Sequence, residues 1–273
     1  MMITFNKYAV KLTPYPHLAS DMMLDPAFFT ELQREFPDGS VFAANRKQAF
    51  AGGRASRINL GRGDRVFRAF MQQSPAWREF FHDINSRRFV ETVLGLFGEI
   101  LPEQGCSIDA KRWNFRDHIT TPEQTVLRRL MRKVGVTNAI DRILSAFDSG
   151  SLCIDFDIAW AQNGYATEPH TDNRNKLAAM LIYFGETGGE GGDFQVLKLK
   201  QMKPLHECGR YPGQNELEVV ETLRPKPNRG ALFLNCNNSY HVVTPLINSA
   251  VARQFLYVSV SSCYGAPIWR YDP

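Results

Sequence analysis

Residues 151–173, SLCIDFDIAWAQNGYATEPHTDN, decide the fold. Leu152, Ile154, Phe156, Ile158 and Trp160 fall on one side of an extended chain, with Cys153, Asp155, Asp157 and Ala159 on the other. A period of two marks a half-buried β-strand. His170 and Asp172 follow where that strand ends, and residues two apart in extended chain face the same side. Further strands are expected at 177–184, 193–199, 217–223, 230–235, 241–245 and 253–261, separated by Gly, Pro and Asn clusters. Many short strands with turn signals between them point to an antiparallel sandwich or jelly roll.

Upstream of Gly150 the period is helical. Asp25-Pro26 supplies an N-cap and a proline at the first helical position, and Phe28, Phe29, Leu32 and Phe36 mark one face before Pro37. Ser74-Pro75 repeats the device ahead of Trp77, Phe80, Phe81 and Ile84. A third helix carries Val90, Val93, Leu94 and Phe97 and ends at Gly98, read as a C′ glycine. Residues 42–60, with Gly52-Gly53 and several basic side chains, read as a mobile loop. Thr121-Pro122-Glu123-Gln124 is a capping box, so two inserted helices are expected over 121–148. These aromatic stripes are those of helices laid against a sheet.

Composition narrows the class. The chain has 273 residues, 44% of them hydrophobic, and a net charge of +4. That basic bias is too weak to argue for nucleic acid, and no apolar stretch reaches the length of a membrane span. Five cysteines without a CxxC pair argue against a disulfide framework and for a reducing, cytoplasmic location. Charge is concentrated between Lys111 and Arg142, with eight basic against three acidic residues. Arg128 and Arg132, one turn apart, head a positive face there that reads either as a solvated helix surface or as a receiver of an anionic substrate or carrier protein.

A third donor joins the HxD pair. His241 opens a late strand in NCNNSYHVVTP, 69 residues after Asp172. Two imidazoles and one carboxylate on one face of an octahedral metal leave three open positions, an arrangement that suits non-haem Fe(II). Arg253 follows 12 residues later and shares strand parity with Phe255, Tyr257 and Ser259. An inward, buried arginine needs an anionic partner, and a ligand carboxylate supplies one.

In these features the chain resembles the Fe(II)/2-oxoglutarate-dependent dioxygenases, in particular their prolyl-4-hydroxylase-like branch. The residues that carry the resemblance are YPHLASDMMLDPAFFTELQREFP (15–37), NGYATEPHTDN (163–173), LAAMLIYF (177–184), GGEGGDFQVL (188–197), PNRGALFLNCNNSYHVVTP (227–245) and ARQFLYVSV (252–260). The resemblance implies an α+β fold: a double-stranded β-helix (jelly-roll, cupin-like) core over 151–273, with the mainly helical residues 1–150, N-terminal and inserted helices alike, packed on it as one domain. It implies Fe(II) on His170, Asp172 and His241, with Arg253 and Tyr183 holding the distal carboxylate of 2-oxoglutarate. Trp160 falls where many relatives have a smaller phenol. Arg174 and Lys176 are expected at the barrel mouth, as substrate contacts or as solvated loop charges.

The implied activity is oxidation of an unactivated C–H bond with 2-oxoglutarate and O2 consumed and succinate and CO2 released, ascorbate serving as reductant in vitro. Asp172 favours hydroxylation, since related halogenases lack this carboxylate. Implied substrates are amino-acid-like, peptidyl, carrier-tethered or other small molecules, with no nucleic acid or membrane partner. Two readings from other classes stand beside this one. A cupin-like metal-binding isomerase or non-catalytic binder would leave Arg253 without a partner. A zinc hydrolase would need a general base, for which Glu168 is the obvious carboxylate.

Overall fold

A computed structural model describes residues 2–3, 5–45, 57–117, 150–204, 207, 209–263 and 265–269. The helices expected over 121–148, with Arg128 and Arg132, lie outside the described residues, as does Gly52-Gly53.

Eight strand segments after Gly150 alternate between two sheets. The large sheet takes β4 (Ser151–Ala161), β5 (Lys176–Tyr183), β8 (Gly230–Leu234) and β10 (Arg253–Ser262), in the spatial order β8-β5-β10-β4. The small sheet takes β6 (Phe194–Leu199), β7 (Leu217–Leu223) and β9 (His241–Val243), in the order β7-β6-β9. The segment around His170 extends it through a bridge to His241, each backbone N–H reaching the other's carbonyl at 3.0 Å. Successive segments thus run large, small, large, small, small, large, small, large, which is the winding of a jelly roll. Across the gap Phe233 meets Phe194 and His241, with ring centroids 5.5 and 4.9 Å apart.

The N-terminal half is not purely helical. β1 (His17–Ser20) pairs with β8 at one edge of the large sheet, and β2 (Arg57–Gly61) pairs with β4 near the other; β3 (Asn114–Phe115) also pairs with β4. The stretch read as a loop over 42–60 therefore begins at the end of helix α2 (Gly39–Ala44) and ends in strand β2. Among the described residues four more α-helices are present: α1 (Pro26–Arg34), α3 (Arg65–Gln73), α4 (Pro75–Ile84) and α5 (Arg87–Phe97). Asp25 caps α1 by accepting from the N–H groups of Ala27 and Phe28 at 3.0 Å. Ser74 makes no such cap. Its hydroxyl donates to Glu35, whose carboxylate accepts the Ala76 N–H at 3.1 Å and so caps α4 from across the interface. Gly98 is right-handed (φ −59°) and not a left-handed C′ residue; a Cβ there would lie 3.0 Å from the Cβ of Ala110.

β4 is covered on both faces, which corrects the half-buried reading. Its even residues face the helices: Phe156 packs on Phe67, Trp77, Phe80 and Phe81, with centroids 5.3–6.4 Å away. Trp160 also points this way, onto Phe42 at 5.3 Å, so it takes no part in the barrel interior. On the odd side Asp157 lines a cavity of about 230 Å³ between the sheets, while Asp155 is exposed.

Candidate active site

The cavity is lined by both sheets. The small sheet and its extension contribute Thr167, His170, Phe194, His241 and Val243; the large sheet contributes Leu181, Phe233, Arg253, Phe255 and Tyr257. Among the described residues, His170, Asp172 and His241 are the one group of His, Cys, Asp or Glu donors placed to hold an ion, with one ligand atom of each within 4.8 Å of the others.

Local chemistry prepares each donor. His170 Nδ1–H donates to the Glu168 carbonyl at 2.7 Å, and His241 Nδ1–H to the Ser239 carbonyl at 3.0 Å. Those bonds leave both Nε2 lone pairs to the centre, the tautomer a metal requires. Burial, then the neighbouring His170, lowers the His241 pKa to about 4, so its imidazole is neutral at pH 7. Burial alone would raise Asp172. Lys176, His241 and the Tyr257 hydroxyl outweigh it and hold the carboxyl well below the usual carboxylate range. Asn235, just past β8, fixes the HxD turn: its Oδ1 accepts the Asp172 N–H at 3.0 Å, and its Nδ2 donates to the carbonyls of Asn173 and Lys176.

Arg253 lies at the inner end, 1% exposed. Its Nη2 donates to the Tyr183 hydroxyl at 2.9 Å, while Nε and Nη1 are buried with no acceptor. No described carboxylate is within ion-pair distance. A buried guanidinium with two idle donors is costly, and an incoming carboxylate matches both its charge and its fork geometry. Gly191 and Gly192, both left-handed (φ 74° and 71°), turn the chain into β6 beside this group. A Cβ on Gly191 would meet the Pro245 carbonyl at 1.9 Å, and one on Gly192 would lie 3.4 Å from Arg253 Cδ.

The structure brings the expected residues together unequally. His170, Asp172, His241 and Arg253 share one lumen. Tyr183 does not line the cavity; it is buried behind Arg253 and orients it. Lys176 does not sit at an outer mouth but inside the cavity, with Nζ 2.8 Å from the Tyr257 hydroxyl and 3.4 Å from Asp172 Oδ2. Arg174 is exposed and away from the cavity lining, because it lies in the turn before β5 begins at Lys176. Glu168 is exposed too and lines an outer groove, so it is no base for the centre.

Arg57, Asn59, Asp157, Tyr165 and Asn235 escaped the sequence reading. The alternation Arg57-Ile58-Asn59-Leu60 was the available signal for the first two, since polar residues at period two also mark a strand facing a wet lumen.

No family model matches the chain. No curated protein matches it. Solved structures similar to it include a prolyl hydroxylase from Trichoplax adhaerens in complex with a hypoxia inducible factor oxygen degradation domain peptide fragment, at 13% identity over 95% of this chain and 90% of that one, with a TM-score of 0.41. A Pseudomonas putida prolyl-4-hydroxylase is similar at 11% identity, over 94% and 98% of the two chains, with a TM-score of 0.45. A prolyl 4-hydroxylase from Phytophthora capsici is similar at 15% identity, over 90% and 58%, with a TM-score of 0.42.

Proposed function

We propose that this chain is a non-haem Fe(II)- and 2-oxoglutarate-dependent oxygenase that hydroxylates an unactivated C–H bond of a small substrate. One observation carries the reading: a two-histidine, one-carboxylate face and a buried arginine with idle donors share a single cavity. A metal alone explains the first, and only an anionic co-substrate explains the second.

His170, Asp172 and His241 would hold the iron, which suits two neutral imidazoles and one carboxylate with positions left open. Iron bound with 2-oxoglutarate and O2 supplies oxidation of a C–H bond coupled to decarboxylation of 2-oxoglutarate to succinate and CO2. The rest is the protein's work. Arg253 receives the distal carboxylate on Nε and Nη1, while Tyr183 keeps the guanidinium from rotating away. Tyr257 and Lys176 hold Asp172 ionised and in place. Leu181, Phe194, Phe233 and Val243 line the remaining wall and exclude water from the reacting centre.

A metal-binding isomerase or binder leaves the Arg253 donors unexplained, and so does a hydrolase, whose expected base Glu168 faces outward. Cys106, Cys153, Cys236 and Cys263 form no disulfide among the described residues, which suits a reducing compartment, the cytoplasm. No helix among the described residues is long and apolar enough to cross a membrane.

The test is binding first and turnover second. Calorimetry should show 2-oxoglutarate binding to the Mn(II)-loaded chain, and aerobic incubation with Fe(II), 2-oxoglutarate and ascorbate should release succinate. Absence of 2-oxoglutarate binding at millimolar concentration would sink the oxygenase reading.

A further inference from the structure

The cavity holds more charge than the metal and one diacid use. Asp172 is engaged by Lys176 and Tyr257, and Arg253 awaits the co-substrate. Arg57 and Asp157 remain, on the wall formed by β2 and β4.

These two charges are held near each other but apart. Arg57 Nε donates to Asn59 Oδ1 at 2.6 Å, and Nη1 donates to the Tyr165 hydroxyl at 3.1 Å, both neutral acceptors. Nη2 donates to none of the described residues. Among the described residues Asp157 accepts one contact, a long 3.5 Å approach from Asn59 Nδ2. The two ends of one amide thus separate a cation from an anion, where a purely structural pair would close to a direct salt bridge. Burial raises the Asp157 carboxyl to about 6, against the pull of Arg57, so it is an anion at neutral pH.

Register places this pair beside the centre. Asp157 stands opposite Tyr257, whose hydroxyl touches Asp172, and Arg57 is in the same row as Arg253, with Ala161 between them. Both guanidinium groups approach the Phe255 ring, 4.3 Å from its centroid for Arg253 and 4.8 Å for Arg57. Two arginines beside one ring, each with its own hydrogen-bond partners, fit two separate anions.

We propose that Arg57 and Asp157 form a zwitterion-binding subsite, and that the substrate is a free amino acid whose carboxylate is held by Arg57 and whose ammonium group is held by Asp157. The proposal rests on the oxygenase reading for the reaction but not for the binding. A residue within a peptide has neither charge at its Cα, and it would leave both groups desolvated and unmatched in a cavity of about 230 Å³.

The experiment is calorimetry on the full chain loaded with Mn(II) and 2-oxoglutarate. The twenty proteinogenic L-amino acids are titrated singly, and each binder is compared with its carboxamide and its N-acetyl derivative. At least one free amino acid should bind, with both derivatives at least tenfold weaker. Arg57→Gln should erase the preference for carboxylate over carboxamide. Asp157→Asn should erase the preference for amine over N-acetyl, and both variants should bind 2-oxoglutarate within about twofold of the parent. If either variant fails to fold by circular dichroism, the derivative comparison in the parent decides alone. The proposal is overturned if none of the twenty binds, or if an N-acetylated or amidated form binds as well as the free acid. A chain that binds an amino acid with this preference but not 2-oxoglutarate keeps the subsite and loses the oxygenase reading.

Discussion

The two faces of the large sheet differ in almost every physical respect. The outer face is an aromatic seam, where Trp77 alone meets Phe36, Phe70, Phe80, Phe156 and Phe184 at 5.0–6.4 Å. The lumen carries Arg57, Asp157, Lys176, Arg253 and two tyrosines, Tyr165 and Tyr257, and two Arg253 donors there are buried without an acceptor. Burial of apolar area on the outer face stabilises the fold. The inner face withholds stabilisation, leaving charges poised for ligands that are not part of the chain. A change on one face should therefore move stability, and a change on the other should move binding.

The largest separation is expected at the metal face. Asp172→Ala or His241→Ala should abolish Fe(II)-dependent succinate release while the thermal midpoint stays near the parent's. Loss of a ligand should exceed the roughly 10–100-fold that supporting residues cost. Parent-level turnover in either variant would remove this centre from the chemistry.

On the opposite face, Trp77→Ala should cost about 3–5 kcal/mol of folding stability by leaving a cavity in the aromatic seam. Urea unfolding measures it. A variant unfolding at the parent's midpoint would mean that the seam does not hold the helices to the sheet.

Arg253→Leu sharpens the contrast from inside. It removes a pair of charge-assisted bonds to the co-substrate, each worth about 1.5–3 kcal/mol, and should raise the 2-oxoglutarate KM about 100-fold. Folding stability should hold or rise, since a buried, half-satisfied cation is replaced by an apolar side chain. An unchanged KM in the folded variant would refute the role.

The smallest effect is pH-dependent. The folded pKa of Asp157, about 6, lies above its ordinary 3.8, so the folded chain binds this proton more tightly than the unfolded one. Its contribution is favourable below that range and is lost as pH rises through 3.8 to 6. Asp157→Asn should then stabilise the chain at pH 7.5 by on the order of 1 kcal/mol, allowing for partial exposure, with the gain gone near pH 4. Thermal unfolding at the two pH values checks it; equal midpoints at pH 7.5 would show that the carboxylate is not strained.

Much of this plan was legible in the chain. Strands expected at 217–223 and 253–261 appear as Leu217–Leu223 and Arg253–Ser262, because alternation and flanking turn residues are local signals. The metal-type donors were legible because HxD spacing, a later histidine and strand parity are all properties of sequence. β1 and β2 were not, since short edge strands take their stability from neighbours far along the chain. Ser74 illustrates the same limit: the cap motif is present, yet Glu35 from another element does the capping.

By itself, then, the sequence determined where the strands after Gly150 fall along the chain, which residues share a side of each and which side chains are candidate donors, all of which are read from local pattern. Only the tertiary structure decided what each face meets. Asp157, on the polar side of β4, lines the lumen where β2 and β10 flank the strand, while Asp155 on the same side is exposed. It also decided that Lys176 turns inward while Arg174 turns out, and that Arg57, from a stretch read as a loop, stands beside Phe255 as Arg253 does. Periodicity assigns a residue to a side of its strand. Whether that side becomes core, cavity or solvent depends on which distant segments pack against it.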